Sequence, residues 1–170
     1  MTDELLAAAK RRLSDHGAFE ERDGGYVVTT TPFEATVNLG DAGSEVSYRI
    51  VMVMPTLDAA VEGEEVAPVV QEGWFETFER RVTHVDGVTR VDPDTPLVSL
   101  DVEAEEVRVE LAFRTSLPDR GAEDAKALID FVEGTYVQGI VPGYDYGEPV
   151  SELVERAAER SDSEGGPPML

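Results

Sequence analysis

The stretch Val107-Arg108-Val109-Glu110-Leu111-Ala112-Phe113-Arg114 decides the fold. Val107, Val109, Leu111 and Phe113 alternate with Arg108, Glu110, Ala112 and Arg114. Successive side chains of a strand point to opposite faces, so one set faces a core and the other faces water. A strand wetted on one face belongs to an antiparallel sheet rather than to a parallel sheet buried on both sides. Residues 97–102 precede it across 103–106, and the two runs predict a hairpin.

Further strands lie upstream. In 46–54, Val46, Tyr48, Ile50, Met52 and Met54 share one face. The end of that run is apolar on both faces, which predicts a central or covered position. Phe33, Ala35, Val37 and Leu39 alternate with Glu34, Thr36 and Asn38, after the ladder-breaking Pro32. Residues 18–22 and 26–31 flank Asp23-Gly24-Gly25, a hairpin signal, and a short strand is predicted at 88–91.

Helical spacing frames these strands. Leu5, Leu6, Ala9 and Leu13 make an apolar stripe over 3–16, with Thr2 as the cap and Gly17 as the stop. After an acidic loop at 55–67, Pro68 suits a first helical turn, and Val70, Trp74, Phe78 and Val82 follow four residues apart. A third helix opens at Asp119, is weakened by Gly134 and ends at Gly139; a last one spans 148–159. The expectation is an α+β fold: a mostly antiparallel sheet flanked by helices, in the order helix–strands–helix–strand pair–helix–helix. One domain over 1–160 is followed by a disordered tail over 161–170, rich in Ser, Gly and Pro.

Composition narrows the classes of function. The 170 residues include 36 acidic and 14 basic ones, giving a formal charge of −22. Nucleic acid and membrane surfaces are polyanions and would repel such a chain, so neither is an expected partner. With no cysteine, thiol chemistry and disulfides are excluded. No run is long and apolar enough for a membrane span, and Asp3 and Glu4 stand where a signal peptide carries base, so a cytoplasmic location is expected. The acid is spread along the whole chain, Lys10 and Lys126 are the two lysines, and Val and Ala lead the aliphatics. These features predict a salt-loaded cytoplasm, where a short Debye length screens self-repulsion.

The element order resembles the fold of type III secretion chaperones and of bacterial sensory-transduction-regulator proteins, over roughly residues 3–140. Pro55-Thr56-Leu57-Asp58-Ala59-Ala60-Val61, Gly73-Trp74-Phe75-Glu76-Thr77-Phe78-Glu79-Arg80 and Glu133-Gly134-Thr135-Tyr136-Val137-Gln138-Gly139 resemble a haloarchaeal family of uncharacterised acidic proteins. That resemblance implies no activity and supplies no catalytic residue.

Signatures of chemistry are missing. There is no Gly-x-Ser-x-Gly, no Gly-Lys-Ser/Thr and no Gly-x-Gly-x-x-Gly. His16 and His84 read as surface residues near helix ends, and the acidic groups around Asp92 and Asp101 read as solvated turns. No catalytic residue, metal or cofactor is therefore expected. The segment 136–147 stands out, because three tyrosines with Ile and Val exceed what a plain loop needs. Tyrosine offers wide apolar contact with a polar tip, which suits interfaces. Tyr136, Ile140, Val141, Tyr144 and Tyr146, with Trp74, are the candidate binding residues. The expected function is a non-enzymatic binding or assembly module: either a homodimer, in which a second chain completes an uncovered sheet face or edge, or a module for another protein partner. The alternative is a small-ligand-binding domain with a pocket between the sheet and the Trp74 helix.

Overall fold

A computed structural model describes residues 2–84 and 97–164. The element order is α1 (Thr2–Asp15), β1 (Phe19–Arg22), β2 (Gly25–Val28), β3 (Glu34–Ala42), β4 (Glu45–Pro55), α2 (Leu57–Ala60), α3 (Pro68–Val82), β5 (Leu97–Glu103), β6 (Glu106–Thr115), α4 (Pro118–Gln138) and α5 (Val150–Glu164). The strands form one six-stranded sheet, ordered β1-β2-β3-β4-β6-β5, in which every neighbouring pair is antiparallel. This is the α+β arrangement that the strand alternation predicts, and β4 is central, paired with β3 and β6.

Local chemistry sets the hairpins. Asp23 and Gly24 both take positive φ, 51° and 82°, between the paired residues Arg22 and Gly25. Two positive φ values are what a twist-matched two-residue hairpin loop requires. Between β3 and β4 only the first loop residue, Gly43, takes positive φ, at 76°, the other loop form that fits a hairpin's twist.

The core lies between the sheet and two helices. Val37, Tyr48, Ile50, Met52, Val109, Leu111 and Phe113 project from one face and are buried. Ala9 and Leu13 of α1, and Ala125, Leu128, Ile129 and Val132 of α4, cover them. Each large side chain so buried contributes about 1.5–3 kcal/mol of transfer free energy. Tyr48 stacks on Phe113 with ring centroids 4.7 Å apart, and its phenol lies against the first turn of α4 at Gly121.

Several local expectations are corrected. The loop expected at 55–67 contains α2, whose first turn is capped by Thr56: its Oγ1 accepts from the Ala59 amide at 3.2 Å. A four-residue helix is too short to show a period, so only burial of Leu57 and Ala60 reveals it. The third helix, by contrast, ends where expected: α4 runs through Gly134 to Gln138 and is capped by Gly139. The last helix extends to Glu164, five residues past the expected end, and so takes in the first part of the expected tail. The predicted strand at 88–91, the Thr2 cap side chain and residues 165–170 lie outside the described residues. His16 is more than a surface residue: its Nδ1 accepts from the Ala18 amide at 3.1 Å, and its Nε2 stands 3.7 Å from Glu123 Oε1 on α4.

Candidate functional site

Two of the candidate binding residues belong to the core. Trp74 on α3 is 4% exposed, stacked on Phe78 (5.8 Å) and edge-on to Tyr136 (5.6 Å). Tyr136, the first residue of the 136–147 segment, lies within the helix that was expected to end at Gly139: it occupies the last turn of α4 and is 1% exposed. Its hydroxyl donates to the Pro55 carbonyl at 2.9 Å, and its ring meets Phe33 at 4.8 Å. Packing of the ring on Phe33 and the bond to Pro55 hold this last turn of α4, which runs to Gln138, so the ring points inward rather than joining the loop. The rings of Trp74, Phe78, Tyr136 and Phe33 occupy the space between α3, α4 and the end of β4.

The other four stay together after α4. Ile140, Val141, Tyr144 and Tyr146 are half-buried and pack against the core. Tyr146 donates its hydroxyl to the Val141 carbonyl and pairs across a β-bridge with Val61. The Glu62 amide donates to the Asp145 carbonyl at 2.8 Å, and the Gly147 amide to the Ala60 carbonyl at 2.9 Å. These bonds lash the segment to the residues following α2 and deliver the chain to α5, whose Val150 and Leu153 are buried. The tyrosine hydroxyls carry matching signatures. Burial pushes the Tyr136 phenol well above its ordinary range, and Tyr146 is raised by burial in spite of its bond to Val141.

The feature that sequence reasoning did not assemble is the outer face of the sheet. Among the described residues, Glu34, Asn38, Arg49, Arg108 and Arg114 are exposed there, while Thr36, Val51, Val53, Glu110 and Ala112 are half-buried. The register sets them in rows. Glu34, Val53 and Arg108 make one row across β3, β4 and β6; Thr36, Val51 and Glu110 make the next; Asn38, Arg49 and Ala112 the third. Arg49 reaches diagonally to Glu110, with Nη2 to Oε2 at 2.7 Å. Arg108 and Arg114 have no ion-pair partner among the described residues. At the end of the first row, a hollow of about 310 Å³ is lined by Glu34, Glu105 and Glu106 together with Phe33, Val53 and Met54. The alternation in 107–114 was signal enough for which side chains face outward. Their neighbours across the sheet follow only from strand order.

Among the described residues, no group of three or more His, Asp or Glu side chains is placed to hold a metal ion, and no helix is long and apolar enough to cross a membrane. No curated protein and no solved structure matches the chain. A model of a family of unknown function (DUF5813) matches residues 14–156.

Proposed function

The chain belongs to the DUF5813 family, whose description assigns no activity, and on the geometry above we propose that it is a non-enzymatic binding or assembly module working through the outer face of its sheet. One observation carries this reading: α1 and α4 bury one face of the sheet, while the other presents Arg108, Arg114, Val51 and Val53 to solvent with no covering helix among the described residues. A broad, shallow surface mixing half-buried valines with unpaired guanidinium groups suits another protein surface better than a small molecule, which needs a concave site. The 139–147 segment is part of the scaffold in this reading, since its bonds are spent on docking α5.

The setting we propose is a salt-rich cytoplasm. Its support is the charge of −22, with no charged side chain buried among the described residues. The test compares two affinity columns in concentrated KCl, one carrying the wild-type chain and one carrying Val51→Asp with Val53→Asp. Proteins retained near stoichiometry by the first and lost from the second support the outer face as the contact surface. The same set on both columns, with both proteins folded, refutes it.

A further inference from the structure

We infer that the surface covering the outer face is a second copy of this chain, stacked sheet on sheet about a two-fold axis that runs along β4. The inference rests on the outer face being the contact surface and adds the identity of its occupant.

Charge is compatible with this face. Two chains of −22 repel at long range, so a self-contact must fall where cations stand among the carboxylates. The chain has 14 basic residues, and three of them, Arg49, Arg108 and Arg114, share this face. Arg49 is neutralised by Glu110, while Arg108 and Arg114 face solvent unpaired among the described residues.

Register then selects the axis. A two-fold rotation along β4 exchanges the positions of β3 and β6 and keeps each row at its own height. In the first row, Arg108 of each copy comes over Glu34 of the other, and Val53 over Val53. In the second row Val51 meets Val51, and Glu110 meets Thr36. Arg49 meets its own copy in the third row, each already held by Glu110. An axis between β4 and β6 would instead bring Asp101 over Glu34, a like-charge contact, because Asp101 extends the first row on β5. Glu34 and Val53 both line the hollow at this end of the sheet, so the incoming Arg108 guanidinium meets the Glu34 carboxylate beside an apolar surface. Stacked twisted sheets cross at about 30°, which keeps the central rows in contact and splays the corners.

Area sets the strength. An axis along β4 overlaps five of the six strands; at about 4.8 Å apart, with six residues of about 3.3 Å rise, they project roughly 500 Å² per copy, below the typical 800 Å² of a stable interface. The dimer is thus a weak one, at the small end of specific interfaces. Salt strengthens it, since a Debye length of about 3 Å at 1 M removes repulsion between the two bodies while leaving contact pairs in place.

Sedimentation equilibrium at about 100 µM protein and about 2 M KCl tests the arrangement. The wild type should be largely dimeric and should dissociate as salt is lowered. Arg108→Glu and Glu34→Arg should each weaken association by at least about tenfold, and the double exchange should restore it to within a few-fold. All three variants sit on exposed positions, and their melting temperatures verify that they fold. A monomeric wild type overturns the second copy while leaving the outer face open to a different protein. A dimer indifferent to both reversals overturns the inference, since the copies then meet through another surface, and the Val51→Asp and Val53→Asp comparison alone judges the outer face. Loss without restoration overturns the pairing of Arg108 with Glu34.

Discussion

Gly121→Ala isolates how tightly α4 is seated on the sheet. On helix propensity alone the substitution favours folding by up to about 1 kcal/mol. Packing acts against it. A Cβ at position 121 would stand 2.8 Å from Cε1 of Tyr48 and nearer still to its Cζ and Oη. Carbon atoms rest about 3.5–4.0 Å apart, so the ring or the helix must give by about an ångström. Tyr48 is 1% exposed and stacked on Phe113, which leaves the ring no free direction. Forced overpacking of this kind costs about 1–3 kcal/mol, and occasionally more. The net expectation is a loss of about 1–2 kcal/mol, or roughly 2–8 °C in melting temperature at this chain length. Urea unfolding in fixed KCl, on the wild type, Gly121→Ala, Tyr48→Leu and the double variant, measures it. Leucine at 48 lacks the clashing atoms, so Gly121→Ala should cost nothing in that background, giving a coupling of about 1–3 kcal/mol. If Gly121→Ala stabilises the wild-type background, or costs the same in both, the seat is looser than the geometry requires and the reasoning fails.

The same substitution at two tyrosines should have unequal effects. Tyr48→Phe removes a buried hydroxyl that has no hydrogen-bond partner, so stability should hold or rise; Tyr136→Phe orphans the Pro55 carbonyl and should cost about 1–3 kcal/mol, both read from urea midpoints. Alkaline pH should unfold the protein through these two groups. Burial, and then the Asp124 charge, push the Tyr48 phenol from 10.0 to about 12, and burial raises Tyr136 as well. The folded state therefore holds protons that the unfolded chain releases, so stability is full below pH 10.0 and is lost as pH rises through 12. A melting temperature unchanged across that window would contradict the burial of both phenols. Finally, the melting temperature should climb steadily with KCl at neutral pH, because screening relieves the repulsion of a −22 chain and excluded salt strengthens apolar burial. A flat series would assign the acidic composition another cause.

Much of the architecture is written in nearest-neighbour patterns. The alternation at 107–114 and 46–54 gave two central strands and their buried faces, and Asp23-Gly24 gave a hairpin loop, because period and turn chemistry are local properties. Trp74, Phe78 and Val82 pointed inward for the same reason, and all three are buried. The sequence was less informative at the ends of elements. The end of the third helix at Gly139 was legible, but the inward turn of Tyr136 just before it was not: its ring packs against Phe33 and its hydroxyl bonds to Pro55, 81 residues away. No local pattern reports a partner that distant.

The candidate surface divides along the same line. By itself the sequence determined that Arg108, Glu110 and Arg114 face away from the core, that Val51 and Val53 do likewise on another strand, and that the chain is strongly acidic. Only the tertiary structure decided that β4 lies between β3 and β6, which places Glu34, Val53 and Arg108 in one row. It also decided that α1 and α4 cover the opposite face. Which way a side chain points follows from the backbone's two-residue repeat, a property of a few consecutive residues. Which side chains stand beside it depends on strand order and register, fixed by burying one continuous apolar face, and that is a property of the whole chain.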